Sequence, residues 1–534
     1  MTNRTVKGLV LFTAAATLAA VAPASSALAA PASKGDDFAG AASIPWGQCA
    51  SPGLQRRGAE CGLLDVPLDY SKPNGKKIQI AVSRIKHKVA DKDYQGVMLV
   101  NPGGPGGSGL TLSVLGEYVP NGAGAAYDWI GFDPRGVGSS VPALHCDDSY
   151  SDGPKPEYIP LNSQLEKTWL NRSKGYAKAC GKAGGDLLNH MTTVDSVNDM
   201  ESIRKSLGAQ QINYYGFSYG TYLGQVYGTL HPDKVRRMVL DGNVDVRDVW
   251  YKANLNQDLN FERNEKIWFG WLAKYDSVYH LGTTAKQVEL RFYAEQNKLR
   301  TAPAGGVVGA DEWTDIFLYA GYYQSTWLEL ADEFAGWAND RNTDLILQAY
   351  EDWVAPGDDN GFAVYNAVQC TDVQWPQSWN QWKVDNWRTF LQAPYITWSN
   401  AWFNAPCLYW PGKAQKPTKI DGSKVKSVLF VGTTLDAATP FEGSLEARRL
   451  FPNGSLLAEV GQTTHANSLN GNACIDDTIA DYLATGKLPQ RKAGDKPDKN
   501  CDSLPQPDPT AASLSAKSLR VDSAVREPLY PVHH

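Results

Sequence analysis

A serine set between two glycines, at the point where an apolar run gives way to a helical pattern, constrains this chain more than any other feature. The run Ile212 to Phe217 leads into Gly216-Phe217-Ser218-Tyr219-Gly220, and a helical segment follows from Thr221 to Leu230. A G-x-S-x-G pentapeptide in that setting predicts a sharp strand-to-helix turn that lifts the serine hydroxyl clear of a sheet. The flanking glycines avoid the clash that a side chain would cause there. The helix N-terminus behind Ser218 favours a developing anion. The plain alternative is a serine that only caps a helix. The preceding strand and the features below favour a nucleophile.

Other segments repeat the strand rhythm. Ile78 to Val82 alternates as a half-buried strand should, while Gly96–Val100 and Trp129–Phe132 are short apolar runs that stop at glycine or proline. Met238–Leu240 continues the pattern, with a helical segment at Val197–Leu207, and it returns at Val428–Val431 and Leu456–Val460. This alternation reads as βαβ units. Between them the composition changes: 14 of the 17 tryptophans lie from Trp250 to Trp410, in patterns that look helical. We therefore expect an α/β-hydrolase fold with a mostly parallel central sheet and an inserted helical cap. The expected boundaries are 37–245 for the first part of the core, 246–410 for the cap and 411–534 for the second part with its tail.

A serine nucleophile needs an oxyanion site, a base and an acid that orients the base. The glycine-rich loop Asn101-Pro102-Gly103-Gly104-Pro105-Gly106-Gly107 follows an earlier strand, where this fold takes one oxyanion N–H; Gly104 is preferred over Gly103, and Tyr219 supplies the other. A phosphate-binding loop is excluded, because no Lys-Ser/Thr follows the glycines. In chain order the acid and then the histidine come after the serine. Of the eight histidines, His465 lies in a loop just after the late strand, whereas His280 falls in the cap and His533 and His534 in the tail. Asp436 lies one strand before His465 and is the expected acid, with Glu442 as runner-up. Asp133 and Arg135, in Gly131-Phe132-Asp133-Pro134-Arg135-Gly136, are read as loop-fixing charges.

The first residues read as an export signal: Arg4 and Lys7, an apolar run from Leu9 to Val21, and Ala27-Leu28-Ala29 as a cleavage site. A signal peptide with a short pro-segment is expected over 1–36, with the mature chain secreted and free of the membrane. Eight cysteines and no Cys-x-x-Cys pair suit disulfides in an exported chain rather than a zinc site. About 105 pairings are possible; neighbour pairing is our expectation, since each bridge then staples one local loop. A net charge of −6 leaves no footprint for nucleic acid.

With these residues in hand, the chain resembles the secreted tripeptidyl aminopeptidases of actinobacteria, within the proline-iminopeptidase-like serine peptidases. The resemblance rests on Glu60-Cys61 with Val66-Pro67-Leu68-Asp69-Tyr70, the Gly103–Gly106 loop, Asp133-Pro134-Arg135-Gly136, the Ser218 pentapeptide, Asp436-x-x-Thr439-Pro440 and His465. Asn101-Pro102 stands where proline iminopeptidases usually carry His-Gly, which is typical of the tripeptidyl branch. The resemblance implies release of tripeptides from free N-termini of peptides and proteins; we expect no metal or organic cofactor and a monomeric enzyme. Such a site must close at one end and offer an anion to the substrate ammonium; Glu329, Asp332, Glu333 and Asp372 are candidates. A secreted serine esterase and a non-catalytic peptide-binding protein on the same fold are the alternatives.

Overall fold

Apolar runs that stop at glycine or proline become strands of one ten-stranded sheet. In chain order these are β1 (Gly47–Gln48), β2 (Glu60–Pro67), β3 (Lys77–Ile85), β4 (Val97–Asn101), β5 (Asp128–Phe132), β6 (Ile212–Phe217), β7 (Val235–Asp241), β8 (Val428–Thr433), β9 (Gly454–Val460) and β10 (Lys499–Asp502). The computed structural model describes Phe38, residues 41–354 and residues 357–511. The expected leader over 1–36, His533 and His534 lie outside the described residues.

The strands lie in the order β1-β2-β3-β5-β4-β6-β7-β8-β9-β10. Pairs from β1 to β5 are antiparallel, and those from β5 through β4 to β10 are parallel. The central parallel strands β4, β6, β7 and β8 are apolar on both faces, which the sequence shows as apolar runs. Leu99, Tyr214, Leu240 and Phe430 face one apolar core, while their neighbours Val100, Tyr215, Val239 and Leu429 face another. After β5 the chain returns across β4 to start β6, so the winding reverses between β4 and β6. Crevices at such switch points, beyond the carboxyl ends of the strands, are where ligands bind in open α/β sheets. Here the glycine loop after β4 and the serine turn after β6 leave the sheet side by side, with Asn101 paired to Gly216.

β1, β2 and β10 were not foreseen. In β2 only Leu64 and Val66 alternate inward as fully buried residues. β10 is a polar edge strand that pairs with β9 through its backbone. The segment between β7 and β8 is helical, from Tyr251–Lys274 to Thr397–Asn404. Its tryptophans mostly pack cores: Trp268, Trp313 and Trp327 join Phe292, Phe317 and Phe334 in one cluster. Trp375, Trp382, Trp398 and Trp402 belong instead to the core that continues into the sheet. The second half of the insertion therefore shares one apolar core with the sheet. The described part of the tail is strapped to the insertion, where Trp271 Nε1 donates to Pro507 O at 2.8 Å.

All eight cysteines pair with their neighbours: Cys49–Cys61, Cys146–Cys180, Cys370–Cys407 and Cys474–Cys501. By the chain-entropy account, loops of this length stabilise by roughly 3–4 kcal/mol each. Asp133 and Arg135 hold loops. The Asp133 carboxylate accepts from Ser108 Oγ (2.6 Å), Gly109 N (3.0 Å) and Ser139 N (2.8 Å). Arg135 makes a two-pronged pair with buried Asp199 (2.8 and 2.7 Å) and donates to Leu68 O and His190 O.

Candidate active site

Ser218 caps the helix Tyr219–Leu230 with φ 54° and ψ −126°, a left-handed backbone that lifts its side chain off the sheet. Two close approaches explain the glycines. A Cβ on Gly216 would stand 2.5 Å from Gly220 O, and one on Gly220 would stand 2.7 Å from Asn101 O. The turn is held from below by Ser218 N–H donating to Asp241 O at 3.0 Å, and by Thr221 Oγ1 donating to Ser218 O at 2.6 Å.

The glycine loop lies directly against this turn. A Cβ on Gly103, where φ is +105°, would stand 2.7 Å from Phe217 O and 2.8 Å from Ser218 Cβ. Gly103 N–H is committed to Asn101 Oδ1 at 3.0 Å, whereas Gly104 lines the cavity above Ser218. Tyr219 is the first residue of its helix, so its N–H is one of those the helix leaves without an internal acceptor. Gly104 and Tyr219 thus line the same cavity as Ser218.

Asp436 and His465 come together from the loops after β8 and β9. His465 Nδ1 lies 3.0 and 2.8 Å from the two Asp436 oxygens. Asp436 is buried and is fixed by Thr439, whose N–H donates to Oδ1 and whose hydroxyl donates to Oδ2, both at 2.9 Å. With a carboxylate on Nδ1, that nitrogen carries the proton and Nε2 is left as the ring's acceptor. Glu442 is exposed on the next helix and has no such contact with His465.

Sequence reasoning missed what holds these loops. His465 N–H donates to Tyr322 O at 2.9 Å. Arg263 Nη2 and Asn264 Nδ2, both from the insertion, donate to Leu435 O at 2.6 and 2.9 Å. It also missed Asp241, a buried carboxylate at the end of β7 that accepts from Ser468 N at 2.8 Å and is pushed up to about 6 by burial. Thr439 was visible only as part of the Asp436-x-x-Thr439-Pro440 turn.

Burial works against a charged His465. The Asp436 charge and hydrogen bond, helped by the charge of Asp241, outweigh it and hold the imidazole pKa above its ordinary value. A base must be neutral to act, so activity should be lost as pH falls through that raised value. The expected kcat/KM profile has its acid midpoint above the ordinary histidine pKa of about 6.5; a midpoint below it would contradict this balance. Stability runs the opposite way. The pair's contribution is complete below the unfolded-state pKa and disappears as pH rises through the folded one.

Ser218, His465, Gly104 and Tyr219 line one cavity of about 520 Å³. Aromatic side chains such as Tyr322, Tyr365, Phe362 and Trp402 share its walls with Asn254, Gln257 and Gln369. Glu329, Asp332, Glu333 and Asp372 do not line it. Asp372 instead accepts from Thr193 N and Oγ1 (2.7 and 2.6 Å), and Glu333 from Trp353 Nε1 (3.2 Å). The acids that do face the cavity are Asp245, Asp248, Asp315 and Glu442. No sequence pattern groups them, because they come from three separate segments.

A family profile described as "TAP-like protein" matches residues 393–501, a span that holds β8, Asp436, β9 and His465. The chain is 40% identical over 462 residues to the tripeptidyl aminopeptidase of Streptomyces lividans, covering 84% of this chain and 86% of that protein. It is 30% identical over 477 residues to serine protease Hip1 of Mycobacterium tuberculosis, covering 84% and 89%. It is 29% identical over 455 residues to carboxylesterase B of Mycobacterium tuberculosis, covering 81% and 85%.

Proposed function

Because this chain belongs to the tripeptidyl aminopeptidase family, we propose that it releases tripeptides from free N-termini of peptides and proteins through an acyl-enzyme on Ser218. It is a serine hydrolase of the peptidase class. Ser218 Oγ attacks the scissile carbonyl while His465 Nε2 takes its proton and passes it to the leaving amine. Asp436 holds the Nδ1–H and stabilises the imidazolium. The N–H groups of Tyr219 and Gly104 receive the tetrahedral oxyanion, and water repeats the sequence to free the acyl group. The observation that carries this reading is the shared cavity wall of Ser218, His465, Gly104 and Tyr219, with Asp436 bonded behind the histidine.

The helices of 246–410 act as the cap that closes the cavity at one end. An acid on its wall, among Asp245, Asp248, Asp315 and Glu442, takes the substrate ammonium. The enzyme works outside the cytoplasm. Its four disulfides suit an oxidising compartment, and among the described residues no helix is long and apolar enough to cross a membrane.

The test is a tripeptide p-nitroanilide with a free N-terminus beside its N-acetylated twin. The free form should be cleaved, and the acetylated form at least about 100-fold more slowly, because a contact to a charged group worth roughly 3 kcal/mol is lost. Equal rates would mean an open site of the endopeptidase kind. No cleavage of either, with p-nitrophenyl esters turned over, would favour the esterase reading, which the likeness to carboxylesterase B supports. Peptide binding without turnover of any substrate would favour the non-catalytic alternative.

A further inference from the structure

Outside the cavity one group of side chains combines an imidazole, exposed carboxylates and a buried carboxylate oxygen without a hydrogen-bond partner. His145 Nδ1 lies 3.4 Å from Asp148 Oδ1 and 3.4 Å from Asp359 Oδ1. One ligand atom from each of the three residues lies within 4.8 Å of those of the other two, and Asp148 Oδ1 also accepts from Asp359 N–H at 3.3 Å. Asp359 is only 6% exposed. Its Oδ2 is saturated by Cys146 N (2.8 Å), Asp147 N (2.7 Å) and Tyr176 OH (2.8 Å), which fixes the direction of the carboxylate. Its Oδ1 is buried and has no hydrogen-bond partner. It points at His145.

From this geometry we propose that His145, Asp148 and Asp359 bind a divalent transition-metal ion of the zinc class. The spacing is that of ligands sharing an ion rather than of a closed hydrogen bond. A charge-assisted N–H···O bond closes to about 2.7–2.9 Å. Neighbouring ligands of a tetrahedral ion with bonds of about 2.0–2.1 Å stand roughly 3.4 Å apart. Both imidazole-to-carboxylate separations here match the second figure and exceed the first. Charge agrees. Asp358 Oδ1 is a further 3.9 Å from the same nitrogen, and among the described residues no lysine or arginine pairs with Asp148, Asp358 or Asp359. A protonated His145 would balance one of three carboxylates; a divalent ion on neutral imidazole balances two. One nitrogen with hard oxygens suits zinc, manganese or cobalt rather than a thiolate-seeking ion.

The position gives the ion a task. Residues 145–148 are stapled to the helix Ser163–Gly184 by Cys146–Cys180, while Asp359 opens the insertion helix Asn360–Asp372. That helix brings Phe362, Tyr365 and Gln369 to the cavity wall, and Gly361 O is so close to Gly106 that a Cβ there would stand 2.6 Å away. An ion at this point ties one wall of the cavity to the sheet side of the molecule. It carries no step of the chemistry.

The experiment uses the full-length exported protein after chelation and dialysis, titrated with Zn²⁺ by calorimetry and followed by thermal unfolding. One ion per chain should bind, and at 100-fold excess over Kd the Tm should rise by about 2–5 °C. His145→Gln and Asp148→Asn remove ligands at exposed positions and leave the Asp359 anchor intact, so both variants should fold. Each should weaken Zn²⁺ binding by more than the roughly 10–100-fold typical of losing an outer partner, and should lose the Tm rise. Absence of stoichiometric binding in the unmodified protein would overturn the proposal. So would binding and a Tm rise that survive unchanged in both variants.

Discussion

Ser218→Ala is expected to lower kcat/KM on a free tripeptide p-nitroanilide by about 10⁴–10⁶-fold while leaving Tm unchanged. The two halves of this expectation have separate causes. With the hydroxyl as the proposed attacking group, no covalent route survives its loss. Its removal costs little in folding because the Ser218 side chain makes no cap hydrogen bond to the helix that follows. The backbone strain at φ 54° is common to serine and alanine, so it cancels in the comparison. The N–H donors of Gly104 and Tyr219 stay in place, and a small residual rate over water should remain. Steady-state assays beside labelling with a serine-directed fluorophosphonate check both points. A variant that keeps more than about a tenth of the activity would move the nucleophile elsewhere, since triad members act as a unit.

Asp436→Asn should lower kcat/KM by about 10³–10⁴-fold with a milder loss of stability. Every group facing the Asp436 carboxylate is a donor: Thr439 N–H, Thr439 Oγ1–H and His465 Nδ1–H. An amide must turn its own NH₂ toward one of them. If it faces the imidazole, Nδ1 becomes the acceptor and Nε2 carries the proton, so the base is lost with the ring still in position. The charge that holds the His465 pKa up is lost as well, and the remaining activity should show its acid limb at lower pH. Loss of charge-assisted bonds costs about 1.5–3 kcal/mol of folding free energy. The pH profile of the variant, with circular dichroism to verify folding, distinguishes the electrostatic role from simple unfolding. Activity within tenfold of the parent would reassign the acid.

Ser218, Gly104, Tyr219 and His465, singled out from sequence, stand around one cavity, while Glu329, Asp332, Glu333 and Asp372 do not, and the reason for the first group is local. A strand followed by G-x-S-x-G leaves one steric solution, because a Cβ at Gly216 or Gly220 would enter backbone within 2.7 Å. Parallel strands buried on both faces are written as apolar runs, and β4, β6, β7 and β8 were legible for that reason. Neighbour pairing of the cysteines was legible because short loops close easily. By contrast β10, the sequence Lys499–Asp502, carries no apolar signal; it is a strand only because β9 offers it an open edge.

Sequence by itself therefore determined the glycine-flanked turn at Ser218 and the order of strands and loops from which acid and base could come. Each depends on sterics or periodicity within a few residues. Tertiary structure alone decided which acids face the cavity, that Arg263, Asn264 and the Tyr322 carbonyl clamp the loops of Asp436 and His465, and that the second half of the insertion shares its core with the sheet. It alone brought His145 to Asp359, which lies 214 positions further along the chain. A surface aspartate and a cavity aspartate look the same in sequence, because neither hydropathy nor spacing records what a folded chain places across from it.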